Sequence, residues 1–454
     1  MMDTATAAAV LHGRLVGPNV TFSRVTTDSR SLEPGDLFVA LEGERFDGHA
    51  FVDAAFAAGA AAALVRHDRI AAPVGSLVSV DDSLAALGAL AAHWRRQFAI
   101  PVVVVVGSNG KTTVKEMTAA ILRARLGDAV LATRGNLNNA IGLPLTLLGL
   151  RHAHRAAVVE LGMNHSGETA ELAAIAAATV AIVNNAQREH QEFMKSVADV
   201  AVEHAALLRS LSSGGVAVIN ADDAHAALWR ESVASDVRLA EFGFGRGAAV
   251  RGELLPAASG LALRVHTSEG VADVHMQVEG RHNASNALAA AAAALAAGAD
   301  LDAVVRGLGA FRSVPGRLVA LQGTSGAAII DDSYNANPDS VAAAIAVLAN
   351  APSPRWLLLG DMGEVGSEGP AFHREAGELA RSAGIERLLT VGAMATEAAS
   401  AFGTGAEHFA SVEALAAHVA GAARPGTTIL VKGSRFMRME RVVARLCGSG
   451  EGAH

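Results

Sequence analysis

The pattern of apolar and polar positions changes character twice along this chain. The first hundred residues mix short apolar runs with turns. Asp36–Leu41, behind Pro34-Gly35, and Ser76–Val80 read as strands. Ala50–Val65 and Ser83–Phe98 read as helices, with Ser83 the candidate N-cap of the second. From Ala99 the rhythm differs. Ile100–Val106 is a continuous β-branched run, as expected of a strand buried on both faces of a parallel sheet. Ala156–Leu161, Val180–Asn184 and Val216–Asn220 then alternate with helix-like segments, which argues a doubly wound α/β unit. Val250–Val278 is strand-like and expected to be antiparallel, and Asn286–Ala297 reads as a very Ala-rich helix. A third unit begins near Pro315-Gly316. Its strand candidates are Ala327–Asp331, Trp356–Gly360, Arg387–Val391 and Thr428–Val431, again separated by helical stretches. The fold class predicted is α/β in three domains, 1–98, 99–314 and 315–454, the second a parallel-sheet unit and the third Rossmann-like.

Composition narrows the picture. Hydrophobic residues make up 51% of the 454 and charged residues 18%, so the chain can build real cores and is not disordered. Aromatics are only 4%, so those cores must be made of Ala, Val and Leu. The single cysteine, Cys447, excludes an internal disulfide and any cysteine-based zinc or iron–sulfur site, and fits a reducing compartment. Mean hydropathy is +0.31. Yet the longest uncharged apolar stretches, Ala54–Val65 and Ala287–Ala299, fall well short of the ~20 residues of a spanning helix. They read as buried helices, and membrane insertion is not expected. Met1-Met2-Asp3 lacks a basic leader region, so a cytoplasmic location is expected. A net charge of −8 without a basic tract disfavours nucleic-acid binding.

The most informative local feature is Gly107-Ser108-Asn109-Gly110-Lys111-Thr112-Thr113, between the buried strand and a plausible helix, Val114–Arg125. Strand, glycine-rich loop and helix N-terminus in that order make a phosphate cradle. The backbone can curl, its N–H groups face the anion, Lys111 supplies a cation, and the Thr112 hydroxyl can ligate Mg²⁺. The common spacing would need a glycine at Val105, so this is a shorter variant of the loop.

Other residues fall where strands of α/β sheets end, which is where such sheets bind ligands. Glu160 closes one apolar run and can bind Mg²⁺. His190 follows another through the polar loop Asn184–Glu189, and reads equally as a rim residue or a surface histidine. Asp331-Asp332-Ser333-Tyr334-Asn335-Ala336-Asn337-Pro338 follows a strand of the third unit; taken alone it is also a capped turn. Arg317 and Lys432-Gly433-Ser434-Arg435 put cations on the same rim, suited to closing on a phosphate across a cleft.

Together these strings resemble the Mur ligase family, over essentially the whole chain from Thr26 to Arg441. Thr27-Asp28-Ser29-Arg30, Pro34–Leu41 and Gly43…Asp47-Gly48-His49 resemble its nucleotide-sugar-binding part. Gly107–Thr113 resembles its phosphate loop, and Gly135-Asn136-Leu137-Asn138-Asn139…Gly142-Leu143-Pro144 its next signature. Glu160-Leu161-Gly162-Met163 and His190 match its metal positions, and His282-Asn283…Asn286 its adenine-binding helix start. Asp331–Pro338 is typical of the branch that adds D-alanyl-D-alanine, and Leu359–Gly366 supports it.

The resemblance implies an ATP- and Mg²⁺-dependent amide ligase of peptidoglycan precursor synthesis, working as a monomer. It would activate the carboxylate of a UDP-N-acetylmuramoyl-tripeptide as an acyl phosphate and pass it to the amine of D-alanyl-D-alanine. It implies that Lys111 and the loop N–H groups hold the β- and γ-phosphates. Thr112 and Glu160 would hold one Mg²⁺ and His190 a second. Arg317 would reach the γ-phosphate, Asp332 the ribose and Asn286 the adenine. Ser29, Arg30, Asn136, Asn138, Asn335, Asn337 and Lys432 would contact the other substrates. Two positions depart from the family. Val106 stands where most members have Thr. His204 stands where a lysine is usually carbamylated and bridges toward the second Mg²⁺, and water or Glu203 would fill that gap.

Overall fold

The computed structural model describes residues 1–43, 46–69 and 75–448. Residues 449–454 of the third predicted unit lie outside them. Three main sheets organise the chain. The first has five strands, in the order Arg14–Val16, Ser76–Val80, Ala62–Arg66, Asp36–Val39, Arg24–Thr26. All its pairs are parallel except the first. The helix read over Ala50–Val65 is corrected here. A short helix, Val52–Ala57, ends at a turn and the chain becomes the buried strand Ala62–Arg66. Gly59, in the left-handed region at φ +100°, makes that break, and no periodic Ala pattern could reveal it. The N-cap of the next helix, Ser83–Arg95, is Asp82 and not Ser83: its carboxylate accepts from the N–H groups of Leu84 and Ala85.

That helix ties the first sheet to the second. Leu87, Leu90 and Trp94 belong to one apolar cluster that runs from Leu37 and Leu64 to Val102, Leu143 and Leu172. The Arg95 guanidinium is buried in the seam and donates to the carbonyls of Phe98, Ala176 and Ala177.

The second sheet has nine strands, in the order Val130–Ala132, Ala156–Glu160, Val102–Val106, Val180–Val183, Val216–Asn220, Arg238–Gly243, Val250–Leu255, Leu261–Thr267, Gly270–Met276. The first seven are parallel, and the last three form the expected antiparallel ribbon. The edge strand Val130–Ala132 and the polar strand Arg238–Gly243 escape an apolar-run reading. Val102–Val106 is buried throughout, as a strand covered on both faces must be. The chain leaves it toward one edge and returns to its other side, so the sheet's topological switch point lies at its carboxyl end.

The Ala-rich helix starts at Arg281, five residues before the sequence reading, and runs to Ala296. Every residue from Ala287 to Ala294 in it is buried. Most of these side chains are methyl groups, and Gly252 of the sheet makes room for the larger Leu288: a Cβ there would fall 2.6 Å from Leu288 Cδ1. This answers the scarcity of aromatics.

The third sheet has six strands, in the order Val319–Gln322, Ala328–Asp332, Thr428–Lys432, Arg355–Gly360, Arg387–Val391, Ala406–Phe409, parallel apart from the first pair. Among the described residues no helix is long and apolar enough to cross a membrane.

The second and third units meet through Arg188. Its guanidinium donates to Asp339 at 2.7 Å and to Glu375 at 2.7 Å, and its N–H donates to Asp339 at 2.7 Å. Glu375 is half exposed, so the bridge is worth about 1 kcal/mol rather than the full value of a buried one. Arg188→Ala is expected to lower the ratio of closed to open molecules roughly fivefold, read as a larger radius of gyration in solution scattering with little change in thermal midpoint.

Candidate active site

The cavity between the second and third sheets has a volume of about 1240 Å³, enough for a nucleotide with a second substrate beside it. Its floor is the loop after Val102–Val106. Two glycines there have no substitute. Gly107 sits at φ +145° and Gly110 at φ +82°. A Cβ on Gly110 would fall 2.4 Å from Asn286 Oδ1, and one on Gly107 would fall 2.9 Å from Asn184 Cβ. The loop is thus pinned from below. Asn184 donates to the Asn109 carbonyl at 2.8 Å and to Asn286 Oδ1 at 3.0 Å, and Asn286 donates to Asn283 at 3.2 Å. Asn286, expected to read an adenine, lines the cavity and braces the Asn184 amide beneath the loop. Lys111 begins the helix Lys111–Leu126, which includes Thr112 and Thr113 in its first turn. Its Nζ folds back onto the Gly107 carbonyl at 2.5 Å and meets Glu189 Oε2 at 3.2 Å. Ser108 takes part through its hydroxyl, which accepts from the Gln187 N–H at 2.8 Å.

Glu160 ends the neighbouring strand, and the structure supports it in several ways. Asn138 donates to Glu160 Oε1 at 2.8 Å. Its N–H donates to the Thr133 hydroxyl at 3.0 Å, and the Thr133 carbonyl accepts from the fully buried Lys115 at 2.7 Å. Lys115 Nζ is 4.0 Å from Glu160 Oε2, which has no hydrogen-bond partner. Asn136 lines the cavity beside Asn138.

The third sheet supplies the opposite wall. Arg317 lies over the Tyr334 ring at 4.4 Å and donates through Nη2 to the Thr112 hydroxyl at 2.9 Å. Asp332 and Lys432 are register partners on adjacent strands and pair at 2.6 Å. Burial pushes the Asp332 carboxyl up against the pull of Lys432 and Arg317. Lys432 also donates to the Asn335 carbonyl at 3.0 Å. Asn337 forms a reciprocal amide pair with Asn109, at 3.0 and 3.2 Å, and also caps the helix Pro338–Ala349 by accepting from the Ser340 N–H. It is therefore a latch as well as a cap, and at this cavity-lining position its amide meets the phosphate loop.

His190 has φ +49° and faces Glu364, at φ +57°, with Nδ1 2.6 Å from Oε2. Left-handed conformations cost a non-glycine residue of order 1–3 kcal/mol and gather where the surroundings enforce them, often at functional sites. Leu318, beside Arg317, is a third example on the cavity wall. Sequence reasoning missed Glu189. Only its place in a polar loop after a buried strand pointed to it. It is buried, with His204 Nε2 at 3.2 Å and His190 Nε2 at 3.7 Å. Burial would raise its carboxyl, but Lys111, His204 and His190 outweigh this and hold it at about 2.

Ser29 and Arg30 are not part of this cavity; Arg30 pairs with Asp28 on the first unit's surface at 2.8 Å. Glu203 is removed as a metal candidate, because its carboxylate accepts from the N–H groups of Gly167 and Thr169 at 3.0 and 2.8 Å.

Among the described residues no three metal-binding side chains already form a cage. Mg²⁺ does not require one, since it is commonly held by one or two carboxylates together with substrate phosphates and water. Glu160, whose buried Oε2 has no hydrogen bond, and Glu189, whose Oε2 lies 3.7 Å from His190 Nε2, fit that donor set.

A phosphate loop at a sheet's switch point, faced by arginine and lysine from a second α/β unit, defines a nucleotide-dependent enzyme whose reacting group lies between two units. Three family models cover the chain: Mur ligase family, catalytic domain, over 21–124; Mur ligase middle domain over 105–294; and Mur ligase, glutamate ligase domain, over 316–435. The chain belongs to the Mur ligase family. It is 43% identical to the UDP-N-acetylmuramoyl-tripeptide–D-alanyl-D-alanine ligase of Escherichia coli, covering 97% of each chain. It is 32% identical to that of Bacillus subtilis, again over 97% of each. Among solved structures it matches MurF from Acinetobacter baumannii with a TM-score of 0.90 at 32% identity, covering 98% of this chain and 99% of that one. MurF ligase from Thermotoga maritima, in complex with ADP, gives 0.82 at 26% identity, covering 94% and 97%.

The double role of Asn337 predicts a contrast. Asn109→Ala should weaken closure and leave the thermal midpoint nearly unchanged. Asn337→Ala should also lose the helix cap, about 1 kcal/mol, and lower the midpoint by roughly 2–4 °C in calorimetry. Equal midpoints for the two variants would contradict this assignment.

Proposed function

We propose that this chain is an ATP-dependent amide ligase joining D-alanyl-D-alanine to a UDP-N-acetylmuramoyl-tripeptide, in the cytoplasm, to make the pentapeptide precursor of peptidoglycan. The observation that carries it is the Arg317–Thr112 hydrogen bond, which brings a cation of the third sheet onto the phosphate loop of the second. A site split in this way forms only on closure, and closure excludes water from an activated acyl group. The name shared by the Escherichia coli and Bacillus subtilis relatives supports the substrate assignment.

The tripeptide carboxylate attacks the γ-phosphorus and ADP departs. The dipeptide amine then attacks the acyl carbon, loses a proton and expels phosphate. Lys111 and the loop N–H groups hold the β- and γ-phosphates, and Arg317 leaves Thr112 for the γ-phosphate. Thr112 and Glu160 would hold one Mg²⁺ and His190 a second, and the ions would supply charge neutralisation for the phosphoryl oxygens. Asp332 takes the ribose. Asn286 reads the base, toward the cavity end where Arg281 lies 3.9 Å over the Phe244 ring. Asn138 orients Glu160, and Asn335 with Lys432 faces the dipeptide. Residues 1–98, with Ser29 and Arg30, take the UDP-sugar, 99–314 the ATP and 315–454 the dipeptide. Most of this catalysis is positioning and charge stabilisation.

Phosphate release from ATP should require both UDP-N-acetylmuramoyl-tripeptide and D-alanyl-D-alanine. Release with glutamate or a single diamino acid in place of the dipeptide would overturn the assignment. Lys111→Ala should cut turnover by about 10²–10³-fold while circular dichroism stays that of the folded chain. Near-normal turnover would remove Lys111 from the phosphate site.

A further inference from the structure

Four lysines occur in the whole chain: Lys111, Lys115, Lys195 and Lys432. None is placed to carry a bridging carbamate in this cavity. Lys111 is engaged by the phosphate loop, and Lys115 is enclosed under Thr133 and Glu116. Lys432 is paired with Asp332, and Lys195 is exposed and does not line the cavity. The helix position expected to hold such a lysine carries His204, which is 1% exposed and has no hydrogen bond at either ring nitrogen. A buried polar group left so needs an explanation. Its Nε2 points at the oxygen of Glu189 that likewise has no hydrogen bond. The other oxygen of Glu189 touches Lys111 and His190.

We propose that Glu189 supplies the anionic oxygen for the second Mg²⁺ that family members obtain from a carbamylated lysine, and that His204 is the positioning residue that holds it there. The inference rests on the ligase reading above. An oxygen anion matches the hardness of Mg²⁺, which an imidazole at the same place does not. A carboxylate on a short loop beside His190 reaches into the cavity from the sheet side, whereas a carbamylated lysine would reach it from the helix. His204 then fills the helix position without binding metal, and the enzyme needs no CO₂.

Mn²⁺ binding to the full chain saturated with ADP, followed by the electron paramagnetic resonance signal of free Mn²⁺, tests this without turnover. Glu189→Gln should weaken Mn²⁺ binding at least about 10-fold, a larger loss than any it causes in metal-free ADP binding. His204→Gln, which leaves the carboxylate in place, should weaken it by less, with an unchanged thermal midpoint, and it remains informative if Glu189→Gln fails to fold. Wild-type affinity in both folded variants would overturn the proposal. So would a wild-type affinity that falls when CO₂ is stripped from the buffer and returns with bicarbonate. A wild-type chain that binds neither ADP nor Mn²⁺ would instead overturn the ligase reading itself.

Discussion

The curl of the backbone from Gly107 to Lys111 is the constraint around which the site is built. Several N–H groups must converge on one anion, and only backbone in the left-handed region at Gly110 brings them there. Such a loop has no helical or strand hydrogen bonds of its own. Asn184 and Asn185 supply them from the end of the neighbouring strand: both amides donate to the Asn109 carbonyl, and Asn185 accepts from the Ser108 and Asn109 N–H groups. The same amide network then reaches Asn337, the N-cap of a helix in the third unit, so the loop is tied directly to the third unit.

Much of this was legible in the sequence wherever one local property decided the structure. Val102–Val106 had to be a doubly covered strand because all five residues are valine. The phosphate loop was visible because glycine spacing and the following helix are local signals. Ala62–Arg66 was not legible, because an Ala-rich run suits a buried helix and a buried strand equally and the turn at Gly59 decides between them. The chain partners of Asn286 and Asn337 were not legible either, because the amides that meet them, Asn184 and Asn109, are distant in sequence. Glu189 shows a third kind of limit, since its meaning depends on Lys111 and His204, neither adjacent to it in sequence.

Local charge outweighs net charge here. The molecule carries −8, yet Lys111, Arg317 and Lys432 gather at one cavity and each contacts a chain oxygen. These contacts satisfy the cations while no anionic substrate is bound, and an arriving anion must replace them.

The buried helix Arg281–Ala296 joins this chemistry to the core. Its middle is a buried run of alanines broken by Leu288, and Asn286 sits at its cavity end under Gly110. A larger side chain in that run must displace a buried neighbour or the helix itself. The displacement would surface at the phosphate loop, so residues far from any ligand would behave genetically like active-site residues.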